Sequence, residues 1–120
     1  CAAQEMVGKQ EQVVAVSLPV GDSRDILRAK IQLAISLLNS PAGILILTDM
    51  AGGTPCNVAA LFISEHPNYE IICGVNLYML ITAFNTRKTV VLTELVVKVT
   101  EAGKKNIISF NQQLSQKCSL

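Results

Sequence analysis

Short, near-continuous apolar runs alternate along the chain with longer stretches in which apolar residues recur every three or four positions. The first kind predicts buried strands of a parallel sheet, the second amphipathic helices laid over it. Residues 1–8 (CAAQEMVG) read as the last turns of a helix closed by Gly8. Residues 13–18 (VVAVSL) read as a buried strand, broken by Pro19, Gly21 and Asp22. Asp22 or Ser23 then caps a helix over 24–38, where Ile26, Leu27, Ile31, Ala34, Ile35 and Leu38 keep helical spacing. Ser40-Pro41-Ala42-Gly43 turns into a second buried strand, Ile44 to Leu47, which runs on into Thr48-Asp49.

Ala51-Gly52-Gly53 is a tight loop, and Thr54-Pro55 opens a helix reaching about Ser64, with Thr54 as N-cap and Pro55 at the first helical position. His66-Pro67-Asn68 ends that helix, Tyr69 to Cys73 is a third strand, and Asn76 caps a helix over 77–85. Residues 91–102 fit a helix through Leu92, Leu95, Val96, Val99 and Ala102, or a strand through the five valines between Val90 and Val99. Gly103 and the two lysines after it make a helix C-terminal signal and favour the helix. Asn106 to Phe110 reads as a short last strand, and the polar tail beyond it has little to pack. The expected fold is therefore α/β, an open, mostly parallel sheet with helices on both faces, in one domain over residues 1–120. One feature departs from a regular βαβ pattern: the chain opens with a helix, with no strand before it.

Composition narrows the function. Half of the 120 residues are hydrophobic and 16% are charged, so the chain can fill a core without disulfide or metal support. A formal net charge of +1, no basic run longer than Lys104-Lys105 and no Trp argue against nucleic acid as a partner. No apolar run approaches a membrane span, and no signal-peptide pattern opens the chain. Cys1, Cys56, Cys73 and Cys118 form no CxxC pair and only one His is present, so reduced thiols in the cytoplasm are expected, with no metal site.

The chemistry concentrates in 48–57, TDMAGGTPCN, at the carboxyl end of the second strand, where open α/β sheets bind ligands. Asp49 offers a carboxylate. Gly52-Gly53 lets backbone N–H groups turn inward, and Thr54 places a hydroxyl at a helix N-terminus, where an anion is favoured. That set suits a phosphoryl group handled beside a base that Asp49 orients. The same residues also suit a plain strand-to-helix turn with Asp49 or Thr54 as caps, and the residues alone leave both readings open. No Gly-Lys-Ser/Thr follows, which disfavours nucleotide hydrolysis.

The wording of two blocks, ILILTDMAGGTPCNVAALF and YEIICGVNLYMLITAF, resembles the IIA domains of the mannose-type (mannose-fructose-sorbose) bacterial sugar phosphotransferase system. That family's signature reads LxDxxGGSPxN and then EVIxGVNxPML. Asp49, Gly52, Gly53, Thr54 (for Ser or Thr), Pro55 and Asn57 match the first block; Gly74, Val75, Asn76, Met79 and Leu80 match the second. The resemblance extends to the helix end before Gly8, the 13–18 strand and EAGKKNI, and so covers nearly the whole chain.

The resemblance implies a cytoplasmic, homodimeric phosphotransferase component that needs no cofactor. It would accept a phosphoryl group from the phosphocarrier HPr onto a histidine nitrogen and pass it to a IIB component during sugar uptake. It would meet the membrane components IIC and IID only through IIB. The implied fold is a four-stranded parallel sheet of order 2-1-3-4 with a strand exchanged in the dimer, for which Asn106–Phe110 is the candidate. Carried over residue by residue, Asp49 would hold the tautomer of the phosphorylated histidine, and Gly52, Gly53 and Thr54 would bind the phosphoryl oxygens. Met50 and Ala51 would face a docking partner; Pro55, Asn57, Gly74 and Asn76 would shape the loops.

The family's histidine lies in a THG stretch that this sequence lacks. Alignment on Gly8 and Asp49 places it about two to three helical turns before Cys1. The absent first strand and the absent nucleophile are then one absence, the sequence is expected to be N-terminally truncated, and these residues alone are expected to be inactive. His66 does not fill the gap, since it sits in a helix-to-strand turn at the opposite end of the sheet from Asp49. Cys56 lies in a first helical turn, where a thiolate is favoured, but with no base in sight it reads as packing. Leu77, Met79, Leu80 and Phe84 read as core or dimer interface. Two further readings stay open: a IIA-like phospho-acceptor domain of a transcription or kinase regulator, and an inactive homologue that only docks or dimerises. Regulatory relatives tend to read DxGS at the loop, so AGGTPCN favours transport.

Overall fold

In the computed structural model, which describes residues 2–17, 19, 21–50 and 53–118, helices cover both faces of a small parallel sheet. Among the described residues that sheet has two strands, β1 (Ile44–Thr48) and β2 (Tyr69–Cys73), with Ile44 opposite Tyr69 and Thr48 opposite Cys73. The crossover between them is helix α3 (Thr54–Glu65). Alternation along the strands sends Leu45, Leu47 and Ile72 to one face, where they pack with Met79 and Ala83 of α4 (Leu77–Thr86) and Leu95 and Val99 of α5 (Leu92–Lys105). Tyr69 lies on the other face, against Leu27 of α2 (Arg24–Ser36) and Val58 and Phe62 of α3. Both cores are aliphatic except for Phe62, Tyr69 and Met79, in keeping with the low aromatic content.

Local chemistry sets the ends of these elements. α1 (Ala2–Val7) stops at Gly8, whose φ of +86° lets its N–H reach the Gln4 carbonyl at 2.8 Å. Ser23 caps α2 by accepting from the Ile26 N–H at 3.2 Å. Gly43 leads into β1 at φ +113°, and a Cβ there would overlap the Asn68 carbonyl and lie 2.7 Å from Leu92 Cδ2. That close approach brings the Ile44 N–H to the Asn68 oxygen, at 3.3 Å, and so sets the register of the sheet. The loop after α1 is tied down by Arg87, which donates to the backbone of Glu11 at 2.6 Å and of Gln12 at 3.2 Å, and to Gln10 Oε1 at 3.0 Å.

Four expectations are corrected. Residues 13–17 form no strand: a ladder needs a partner, none lies beside them among the described residues, and Val13, Val14 and Val16 are exposed (Leu18 lies outside the described residues). They run past α2 instead, and with Lys30, Leu33, Ala34 and Leu37 they border an open groove of about 300 Å³. Gly53, not Thr54, is the N-cap of α3, which moves Thr54 and Pro55 one position into the helix. Gly103 does not end α5. It lies buried inside it, where a Cβ would come 2.7 Å from Met79 Cγ, so its small size serves helix contact and not chain reversal. Asn106–Phe110 is not a strand: Asn106 caps α5, and Ser109 starts α6 (Phe110–Cys118) by accepting from the Gln112 N–H at 3.3 Å. No strand lies beside this segment among the described residues; the Asn106 and Ile107 N–H groups bond back to the Ala102 and Lys104 carbonyls of α5, and Ile107, Ile108 and Phe110 are exposed.

Candidate functional site

The carboxyl end of the sheet gathers the exit of β1 (Thr48-Asp49-Met50), the start of α3 (Gly53 to Cys56), the exit of β2 (Cys73-Gly74-Val75) and the start of α4 at Asn76. The two exits are joined by the Val75 N–H donating to the Thr48 carbonyl at 2.9 Å. Gly74 makes the bend at φ +84°, a conformation other residues resist, although a side chain there would meet nothing. Asn76 then does two things. Its Oδ1 accepts from the Met79 N–H at 3.1 Å and caps α4, while its Nδ2 donates to the Gly103 carbonyl of α5 at 3.2 Å.

At the start of α3, Gly53 is extended (φ −76°, ψ 166°) and offers no capping side chain. The first helical bond runs from the Asn57 N–H to the Gly53 carbonyl at 3.0 Å. Any residue adopts the Gly53 conformation, so what glycine supplies is bare backbone at a helix N-terminus, the partial positive end of the helix. Thr54 and Pro55 are half-buried in the first turn, while Asp49 and Met50 are exposed at the strand exit. Ala51 and Gly52 lie outside the described residues. The sheet thus brings Asp49, Met50, Gly53, Thr54, Pro55, Asn57, Gly74 and Asn76 to one end, and it leaves His66 at the other. There His66 caps α3 and stacks on Tyr69, ring centroids 4.5 Å apart.

Two features of this end escaped the sequence reading. Thr48 is buried, and its Oγ1 has no hydrogen-bond partner of good geometry among the described residues. Beside it, Cys56 Sγ lies 2.8 Å from Cys73 Sγ. Contact with the Cys56 sulfur pushes the Cys73 thiol above its ordinary value and burial adds to this, while the neighbouring Thr48 hydroxyl opposes it. The topology alone signals only that both cysteines lie at one end of the sheet, since a βαβ unit places the last strand residue and the first turn of its crossover helix there, and not that they touch. Of the other apolar candidates, Met79 is core, Leu80 and Phe84 are half-buried, and Leu77 is exposed. Among the described residues no group of three or more His, Cys, Asp or Glu could hold a metal ion, and no helix is long and apolar enough to cross a membrane.

The comparisons with known proteins agree on one kinship. The family model described as PTS system fructose IIA component matches residues 1–100. The fructose-specific EIIA component of Bacillus subtilis is 30% identical over 112 residues, 93% of this chain and 71% of the relative. The mannose-specific EIIAB component of Escherichia coli is 30% identical over 106 residues, 88% of this chain. The chain spans 33% of the length of that longer relative. Among solved structures, EIIA from Streptococcus agalactiae superposes with a TM-score of 0.84 at 30% identity, covering 92% of this chain and 85% of the other. The mannose/sorbose-specific IIA subunit from Enterococcus faecalis gives 0.76 at 31% identity, covering 91% and 81%.

Proposed function

Since the chain belongs to the IIA family of the sugar phosphotransferase system, we propose that it carries a phosphoryl group from phospho-HPr to a IIB component, with the carboxyl end of the sheet as the transfer site. The observation that carries this reading is the juxtaposition at that end of the Asp49 carboxylate and the uncapped, side-chain-free start of α3 at Gly53. Phosphoryl transfer passes through a loose transition state with charge spread over the equatorial oxygens, and backbone N–H groups at a helix N-terminus match that charge. Thr54 adds its hydroxyl, and Gly52 is assigned with Gly53 to the phosphoryl oxygens. Asp49 accepts a hydrogen bond from the imidazole nitrogen that does not bear phosphorus, which fixes the tautomer and supports the developing positive charge. Met50, with 62% of its surface exposed, is assigned to partner docking, and Ala51, outside the described residues, shares that assignment.

The acceptor is a histidine outside these 120 residues, because the sequence carries no THG stretch and His66 lies at the wrong end of the sheet. In this reading β1 and β2 are the third and fourth strands of the 2-1-3-4 order, which the direct β1–β2 pairing supports. A homodimer in the cytoplasm, reaching IIC and IID through IIB, belongs to the same proposal.

The test is the intact mass of the natural full-length protein before and after incubation with phosphoenolpyruvate, enzyme I and HPr. A gain of one acid-labile phosphate is expected, unchanged in His66→Ala. Asp49→Ala should slow the transfer about a hundredfold or more, the loss expected for one preorganised electrostatic group, while the fold is retained. Unchanged transfer in Asp49→Ala, or loss of the phosphate in His66→Ala, would overturn the assignment.

A further inference from the structure

We propose that Cys56 and Cys73 form a reversible redox pair, which a hydroperoxide oxidises to a disulfide tying the first turn of α3 to the end of β2. The proposal does not depend on phosphoryl transfer. Its basis is geometric. The two sulfurs lie 2.8 Å apart, only about 0.8 Å beyond a disulfide bond length. Each sits on a regular element, Cys56 in the first turn of α3 and Cys73 at the last position of β2, so the approach is built into the βαβ unit and not left to a loop. Both side chains are half-buried, so a molecule as small as hydrogen peroxide can reach them.

The surroundings divide the roles. The N-terminal end of α3 favours a thiolate in its first turn, where Cys56 lies. Cys73 is held toward its protonated form by the Cys56 sulfur. Cys56 is accordingly the attacking sulfur and Cys73 the resolving one. The Cys56 thiolate attacks one peroxide oxygen, the O–O bond breaks, and the departing hydroxide takes a proton to become water, leaving a sulfenic acid. Cys73 then gives up its proton, its sulfur attacks the Cys56 sulfur, the S–O bond breaks, and a second water leaves. Two thiols and one hydrogen peroxide become one disulfide and two waters. A dithiol reductant reverses the change by thiol–disulfide exchange.

The experiment treats the chain with hydrogen peroxide in a Cys1→Ser, Cys118→Ser background, so that only this pair remains. Intact mass and thiol alkylation are read before and after dithiothreitol. Cleavage after Glu65 and Glu70 separates the two cysteines, so a disulfide leaves their fragments joined, whereas trypsin would keep both between Lys30 and Arg87. The expected result is a loss of about 2 Da, no alkylatable thiol, a joined fragment pair within one chain, and full recovery on reduction. In Cys73→Ser the same treatment should stop at a Cys56 sulfenic acid that dimedone traps. The proposal is overturned if both thiols survive a peroxide dose that oxidises a control dithiol, or if bonds form only between chains. Sulfinic acid at Cys56 with no cross-link in the wild-type pair would overturn it as well. Should the double variant fail to fold, the same digest of the wild-type chain gives the same readout.

Discussion

Replacing Asn76 by alanine removes two hydrogen bonds that serve different helices. The Oδ1 bond to the Met79 N–H, at 3.1 Å, is the N-cap of α4, a type of contact worth about 1 kcal/mol. The Nδ2 bond to the Gly103 carbonyl, at 3.2 Å, satisfies one of the last four carbonyls of α5, which have no partner inside their own helix. A neutral bond of this kind contributes about 1 kcal/mol. The two sites are separate atoms on separate helices, so the losses should add to about 2 kcal/mol, or about 8 °C in melting temperature for a chain of this length. Asn76→Asp separates the contributions. It keeps the capping oxygen but sets a carboxylate oxygen against the Gly103 carbonyl, so its stability should fall between wild type and Asn76→Ala. Urea unfolding followed by circular dichroism measures all three. An alanine variant within about 0.5 kcal/mol of wild type, well below the sum of the two bonds, would refute the reasoning. So would an aspartate variant as stable as wild type, since the Gly103 contact would then contribute nothing.

Two other substitutions probe what holds the fold together away from the site. Gly43→Ala combines a disallowed backbone angle with overlap against the Asn68 carbonyl, which cannot move without breaking the start of the sheet. It should cost at least about 3 kcal/mol, and a melting temperature within about 3 °C of wild type, under 1 kcal/mol, would sink that account. Arg87→Ala removes its three hydrogen bonds to the 10–12 loop, leaving the Asn39 N–H bond to Gln12 Oε1 at 2.7 Å, and also removes the cation–π contact with Phe84, whose ring centre lies 5.5 Å from the guanidinium carbon. Limited proteolysis should then cut at Lys9 and Glu11 several-fold faster, with little change elsewhere. Arg87→Lys should not rescue the loop, because an ammonium cannot span two carbonyls as the planar fork does. Equal cleavage rates in all three proteins would show that the loop is held by something else.

Much of this architecture was legible in the sequence, for identifiable reasons. β2 falls where it was expected because the five residues between Asn68 and Gly74, apolar apart from Glu70, have no helical alternative of useful length. α2 and α4 begin where Ser23 and Asn76 can cap them. Apart from the one-residue shift of the α3 cap, the failures share one cause: local signals were read where tertiary partners decide. The valines of 13–17 have strand propensity, but propensity supplies no ladder. Gly103 followed by lysines has the form of a helix stop, yet its neighbour across the interface is Met79, and the glycine is there to admit it. At the site, TDMAGGTPCN was readable as a candidate anion loop because it combines a strand exit with a helix start. The Cys56–Cys73 contact was not, since it depends on the register of β2 and on the angle at which α3 leaves the sheet.

That register also bears on what can work with Asp49. The strands are parallel, so Asp49 and His66 sit beyond opposite ends of five-residue elements, separated by at least about 13 Å along the strand direction. No rotamer of a histidine closes that gap. Among the described residues β1 pairs with β2 on one edge only, so its other edge carries N–H and C=O groups with no strand against them. A further strand laid parallel along that edge, about 4.8 Å away, and ending level with Thr48 would deliver its next residue beside Asp49 and the start of α3. A strand added outside β2 would not. In the proposed reading the acceptor histidine would sit just beyond such a strand on the open edge of β1. A cross-link or structure of the phosphorylated full-length protein that places phosphorus anywhere else would break the argument.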